Sequence, residues 1–201
     1  QALWKMQQTR GPDELARLKA KIRVHSIADQ DRTAGWIKKH HPDVFYLYSD
    51  KLFRGIWKYG DQSLVSPAWV GKHIAGHGPL GDPDVYPPDA AGKKGVKEGD
   101  TPSFFWVLRN GLGDPEAPGW GNWGGRFRYS GAGSEFVPAE DRRDGKPDMY
   151  YTIWRWRTAY QNEFQARMDW CVKPYTEANH PPVAVCNGAG GVGTVRLEAR
   201  P

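Results

Sequence analysis

Two stretches hold the residues of this chain whose types and spacing could do chemistry. They are Glu98-Gly-Asp-Thr-Pro-Ser-Phe-Phe-Trp106 and Trp120-Gly-Asn-Trp-Gly-Gly-Arg126. Asp100 stands just before Thr101-Pro102, which predicts a helix start. A carboxylate there is stabilised by free N–H groups and the helix dipole. The same setting keeps it ionised and fixed, as a ligand of calcium or magnesium must be. By spacing alone, Asp100 reads as a helix cap. Trp120, Trp123 and Arg126 lie on a loop made almost wholly of glycine and tryptophan. Flat apolar rings match the C–H faces of sugars, and an arginine beside them can hydrogen-bond hydroxyls. The same rings can equally fold inward and close the loop on itself. A carboxylate near such rings describes a sugar-handling surface.

Asp29, Gln30 and Asp31 form a second group, because they directly follow a predicted strand. They could bind a metal or sugar hydroxyls at a sheet rim, although Asp31 by itself reads as a helix N-cap. His77 lies between Gly76 and Gly78, so its backbone can approach a ligand closely. A lone loop histidine is otherwise solvated. His40-His41 before Pro42 read as a helix C-terminal cap, and His180 before Pro181-Pro182 as a turn residue. Gly188 to Gly193 lacks the Lys-Ser/Thr ending and following helix of a phosphate loop. No GxSxG occurs, so nucleophilic serine chemistry has no support. Cys171 and Cys186 show no catalytic context, no CxxC and no zinc spacing.

The elements that must position these groups follow from periodicity. Residues 2–8 read as helical turns, and Leu15, Leu18 and Ile22 carry apolar helical spacing after Gly11-Pro12. Ile22-Arg-Val-His-Ser-Ile27 alternates like a strand. Asp31 or Thr33 then caps a helix whose buried side is Trp36 and Ile37 and which Pro42 stops. Val44-Phe-Tyr-Leu-Tyr48 is nearly continuous in apolar character, as in a strand covered on both faces. Ser66-Pro67 opens a helix to about Ala75, and Thr101-Pro102 a helix or turn through Leu108. Residues 76–99 and 111–149, rich in Gly and Pro, read as long irregular loops. The clearest helix is predicted over 153–173, with Ile153, Trp156, Tyr160, Phe164, Met168 and Cys171 or Val172 on one face. Val183-Ala-Val-Cys186 reads as a short strand, and Thr194-Val-Arg-Leu-Glu198 alternates like another. Helix, strand, helix, strand, helix is the order of an α/β layered domain. Ligands of such sheets sit at the carboxyl ends of the strands, which places Ser26 to Asp31 and Ser49-Asp50 on one rim.

At 201 residues with 39% hydrophobic content, the chain can form one domain with a real core. No apolar run approaches the roughly 20 residues of a membrane span, so no membrane partner is expected. Gln1-Ala-Leu-Trp-Lys-Met lacks the basic-then-apolar order of a signal peptide, as a mature chain also would. The formal charge of +5 is scattered, and Lys93-Lys94 and Arg142-Arg143 are the only basic pairs outside predicted helices. Without a basic stripe to track phosphates, nucleic acid is not expected as a partner. Ten tryptophans and nine tyrosines are many for this length. Most must be core, yet several fall in Gly/Pro-rich segments.

Several of these motifs together resemble one family: Ser26-Ile-Ala-Asp-Gln-Asp31, Gly76-His-Gly-Pro-Leu80, Glu98-Gly-Asp-Thr-Pro-Ser-Phe104, Asn110-Gly-Leu-Gly-Asp-Pro115, Trp120-Gly-Asn-Trp-Gly-Gly-Arg126, Phe164-Gln-Ala-Arg-Met-Asp-Trp170 and Asn179-His-Pro-Pro182. The family is that of secreted microbial proteins with a nucleoside-hydrolase-like domain, often labelled cellulose-binding. The resemblance implies an α/β fold, part of an open, Rossmann-like layered sheet of nucleoside-hydrolase type with long Gly/Pro/Trp-rich loops. It implies that residues 1–187 are the C-terminal portion of that domain. Residues 188–201 would be a linker and the first strand of a truncated immunoglobulin-like domain. The strand whose aspartates hold calcium in nucleoside hydrolases is expected outside this chain, which makes the N-terminal half of the domain an expected partner.

In nucleoside hydrolases a late His-Asp pair opens a helix, and its Asp completes the metal site. Gly99-Asp100-Thr-Pro-Ser-Phe104 is similar in position and pattern, so the resemblance makes Asp100 the expected ligand of a Ca2+ ion. Glycine replaces the histidine, which weakens the case for nucleosides and leaves His77 or Glu98 as the acid. The resemblance thus implies a secreted, carbohydrate-active hydrolase that cleaves a glycosidic bond with a calcium-bound water. Asp29, Gln30, Asp31, Trp120, Trp123 and Arg126 would face a saccharide or polysaccharide. The alternative is a non-catalytic cellulose- or polysaccharide-binding protein. Secretion favours a disulfide between Cys171 and Cys186 over two thiols.

Overall fold

A computed structural model describes residues 2–88, 92–180, 185–186 and 189–190. Helices α1 (Ala2–Thr9) and α2 (Pro12–Lys19) lead into β1 (Arg23–Ser26), α3 (Arg32–His40) and β2 (Phe45–Tyr48). A short 3-10 turn, Leu52–Ile56, comes next, then α4 (Pro67–His73) and α5 (Thr101–Val107). The helix starts follow from side-chain chemistry. Asp31 accepts the Thr33 N–H at 2.7 Å, and Ser66 accepts the Trp69 N–H at 3.1 Å with Pro67 behind it. Each cap is worth on the order of 1 kcal/mol.

Residues 111–149 depart from the irregular loop that their Gly and Pro content predicts. They carry β3 (Phe127–Tyr129), β4 (Glu135–Pro138) and a hairpin of β5 (Asp141–Arg143) and β6 (Lys146–Asp148). Strands of three or four residues are too short to show alternation. The hairpin turn is Asp144-Gly145, with φ of 51° and 78°, the left-handed pair that a tight two-residue turn requires.

The main sheet runs β1-β2-β4-β3, with β1, β2 and β4 parallel and β3 antiparallel to β4. Alternation sends Tyr46 and Tyr48 to one face and Phe45 and Leu47 to the other. Lys38 of α3 lies 4.9 and 4.6 Å from the Tyr46 and Tyr48 ring centres, so α3 covers the first face. Leu47 on the second face joins Leu52, Phe105, Trp106, Phe127, Ile153 and Tyr160 in the main core. Full burial of such side chains stabilises by about 1.5–3 kcal/mol each. A smaller core of Val65, Trp69, Val70, Ile74, Val96 and Met168 lies under α4. The layers match the predicted α/β class.

The helix predicted over 153–173 is two: α6 (Tyr151–Trp154) and α7 (Arg157–Trp170). Trp156 breaks it with φ −94° and ψ 2°, in the sparsely allowed bridge region. Ile153, Tyr160 and Met168 are buried as predicted, Trp156 and Phe164 are partly buried, and Val172 is half exposed. Arg157 and Gln161 are also buried, which apolar spacing could not anticipate. The Arg157 guanidinium gathers the carbonyls of Gly55 (2.8 Å), Lys58 (2.9 Å), Asp61 (3.1 Å) and Tyr59. Gln161 donates to the Leu64 carbonyl at 2.5 Å. Together they staple the 55–64 loop onto α7.

Near the end, β7 (Val185–Cys186) pairs antiparallel with β8 (Ala189–Gly190). The predicted strand Thr194–Glu198 lies outside the described residues, as does most of the segment 188–201 assigned to a linker and stub. Cys171 carries a free thiol, and the side chain of Cys186 lies outside the described residues, so the expected disulfide is not shown. Among the described residues, no helix is long and apolar enough to cross a membrane.

Candidate functional site

The rim beyond β1 and β2 is built from left-handed backbone. Ala28, Asp29 and Asp50 have φ of 64°, 45° and 36°. Such values are uncommon outside glycine and turn the chain sharply after each strand. Asp29 accepts from Ser26 Oγ (2.5 Å), Tyr46 Oη (2.6 Å) and Lys38 Nζ (2.6 Å). Lys38 also pairs with Glu135 at 2.6 Å. Burial pushes the Asp29 carboxyl up, but hydrogen bonds from Lys38, Ser26 and Tyr46 overcome it and hold the group below its ordinary value. Burial likewise opposes the Lys38 charge, and Asp29 and Glu135 together raise it. Tyr46 is pushed up to about 12 by burial and then by Asp29. Asp29 is thus the hub of a charge cluster between α3 and the sheet. Gln30 is exposed and donates to the Ile27 carbonyl at 3.0 Å, while Asp31 caps α3.

The start of α5 divides its two carboxylates by role. Glu98 Oε2 accepts both the Asp100 and Thr101 N–H groups at 2.9 Å, so Glu98 is the capping residue. Asp100 is exposed and makes no side-chain cap bond, contrary to the reading from spacing. Gly99 between them packs under Phe53, where an added Cβ would lie 2.9 Å from the ring. A side chain at this position would therefore have to displace the Phe53 ring. Among the described residues, no group of three or more His, Cys, Asp or Glu is placed to hold a metal ion. One exposed carboxylate does not make a calcium site, so Asp100 fits only as one member of a larger set. His77 is held elsewhere, at the end of α7. Its Nε2 lies 3.6 Å from Asp169, whose other oxygen takes Lys173 at 2.8 Å.

The Gly/Trp loop is a small rigid hairpin. Asn122 and Gly125 exchange backbone hydrogen bonds at 3.0 Å. The Asn122 side chain, itself buried, donates to the Trp106 carbonyl (3.1 Å) and accepts the Gly124 N–H (2.7 Å). Trp123 points inward, 8% exposed, with ring centres 5.6 Å from Phe105 and 6.3 Å from Tyr160. Trp120 points outward and is 66% exposed. Arg126 is bound to Asp141 (2.7 Å) and to the Glu140 carbonyl (2.6 Å), and Arg155 shares Asp141 at 3.1 Å. Of the three residues read together in the sequence, Trp120 is the one presented to solvent.

The mixed α/β sheet, with β1, β2 and β4 parallel and β3 antiparallel, and the helices packed on it match a domain of nucleoside-hydrolase type. The family model described as "cellulose-binding Sde182, nucleoside hydrolase-like domain" matches residues 1–127, and this chain belongs to that family. A solved structure of a nucleoside hydrolase-related protein from Saccharophagus degradans, described as associated with carbohydrate metabolism, is similar throughout. It has 33% identity and a TM-score of 0.72 over 96% of this chain. The chain spans 45% of the length of that structure. No protein of curated function matches.

Proposed function

We propose that this chain is a polysaccharide-binding part of a secreted protein and that Trp120 is its sugar platform. The observation that supports this reading is the split between Trp120 and Trp123. An aromatic ring exposed to two-thirds of its surface is costly to leave in water. Here it is displayed on a hairpin that its neighbour anchors in the core. Such a ring is pre-organised, so stacking on a sugar costs little further ordering. Membership in a family described as cellulose-binding makes a β-glucan the first ligand to test. In a cellulose pull-down, Trp120→Ala should abolish retention while leaving the fold intact. Undiminished retention would rule out the platform.

A hydrolytic role in the full protein is the second reading. It is favoured by Asp100, an exposed carboxylate at a helix start with no cap bond of its own. Among the described residues, β1 is an edge strand paired only with β2. A further segment of the domain adding to this edge is the partner this reading requires. Asp100→Ala in the full protein should then abolish both hydrolysis and calcium binding. Unchanged calcium affinity would remove Asp100 from the role.

A further inference from the structure

We propose that the groove between the 54–67 loop and the 93–97 segment is a second saccharide site, selective for anionic saccharides that carry carboxylate or sulfate groups. The groove is open, about 920 Å³ in volume, and shares no lining residue with the Trp120 hairpin. Arg54, Lys58 and Lys94 line it together with the rings of Trp57 and Tyr59. Lys93 and Lys97 also line it and have interactions of their own. Among the described residues, no Asp or Glu lines the groove.

The walls are fixed. One wall is the loop that Arg157 staples through the Gly55, Lys58, Tyr59 and Asp61 carbonyls. Tyr59 is held at φ 61°, a strained value for a bulky residue, and its ring packs on Tyr150 with centres 4.9 Å apart. Strain of this kind persists only where the surroundings over-determine it, and it concentrates at ligand sites. The Tyr59 side chain is nonetheless half exposed. The other wall is tied to the first by the Val96 N–H, which donates to the Val65 carbonyl at 2.9 Å. Cations are thereby concentrated beside two aromatic rings on a rigid frame.

That combination matches a sugar ring bearing an anion. The ring's C–H face packs on Trp57 or Tyr59, and its carboxylate or sulfate meets Arg54, Lys58 or Lys94. A neutral glucan offers the cations hydroxyl acceptors but no opposite charge, so the charge-assisted part of the binding is reserved for the anionic saccharide. Single-stranded nucleic acid would use the same rings and charges, but the family's description points to carbohydrate. The groove shares with the proposed function only the premise that the ligand is a saccharide.

Affinity electrophoresis of the full protein through gels holding polygalacturonate, dextran sulfate or hydroxyethylcellulose tests the assignment. Polygalacturonate, dextran sulfate or both should retard the wild type, the stronger of the two identifying carboxylate or sulfate as the preferred anion. Retardation should weaken steeply between about 50 and about 500 mM salt. The Arg54→Gln, Lys58→Ala, Lys94→Ala triple variant, with an unchanged unfolding midpoint, should lose about tenfold or more in apparent affinity for the anionic gels. Its behaviour in hydroxyethylcellulose should not change. Trp120→Ala should show the reverse pattern, which separates failure of this site from failure of the hairpin. Equal retardation of the triple variant and the wild type would overturn the assignment. So would an oligothymidylate that binds the groove more tightly than either polysaccharide.

Discussion

Arg157 on α7 donates to the carbonyl of Lys58 at 2.9 Å, joining positions 99 residues apart in the chain. Arg157 is only 2% exposed, and its guanidinium faces backbone carbonyls rather than a carboxylate. A planar fork with five donors suits several carbonyls converging from one loop. The bond network converts the segment after β2 from a flexible connection into part of the scaffold. Lys58 and Tyr59 are displayed because their backbone is held from behind.

Arg157→Ala should be among the most destabilising single changes in the chain. Four carbonyls would lose a charged donor whose own side chain is buried, and each such bond is worth about 1.5–3 kcal/mol before non-additivity. Urea unfolding should show a loss of about 3–5 kcal/mol. Arg157→Lys, which keeps the charge but not the fork, should recover only part of it. A loss below about 1 kcal/mol for Arg157→Ala would mean that the loop is held by something else.

His25 on β1 sets an acid limit. Both ring nitrogens are buried without a hydrogen-bond partner, the ring meets Phe127 edge-on at 5.8 Å, and burial pushes its pKa down to about 4. The unfolded chain takes up this proton near pH 6.5. Between pH 6.5 and 4 the unfolded state therefore binds more protons, so stability rises with pH across this window and is lost on acidification. His41 and His73 are lowered by burial too and act in the same direction. His25→Phe should flatten the stability curve between pH 6.5 and 4 by up to ~3 kcal/mol. A variant whose slope matches the wild type would show that His25 is not the source.

Glu98 and Asp100 should separate in stability measurements. Glu98 alone caps α5, accepting two N–H groups. Glu98→Ala should cost about 1 kcal/mol, whereas Asp100→Ala should stay within about 0.5 kcal/mol. Thermal unfolding of the two variants checks this. The opposite ranking would return the cap to Asp100.

Much of the first half of the fold is legible in the sequence. β1, α3, β2 and α4 fall within a residue or two of the positions that periodicity, Asp31, Ser66 and Pro42 mark. β3 and β4 are hidden because three or four residues carry too little pattern, yet Asp144-Gly145 is a readable hairpin signal. The break at Trp156 is not readable, because the apolar helical spacing runs through it without interruption from Ile153 to Tyr160. The candidate site is half legible. Composition locates the Trp loop but cannot say which ring faces in, since Trp120 and Trp123 differ only in what packs against them. Spacing places the helix start correctly but chooses Asp100 over Glu98, because a side chain two or three residues upstream can fold back onto the same N–H groups.

The two tryptophans give the most direct test of the account. Trp123→Ala should cost about 3–5 kcal/mol of stability, as a large ring leaving a closed core does. Trp120→Ala should change stability by less than about 0.5 kcal/mol. The decisive measurement is a calorimetric titration of cellohexaose into the wild type and into Trp120→Ala. Binding heat in the wild type that disappears in the folded Trp120→Ala protein is the predicted result. The same heat and affinity in both proteins would contradict it.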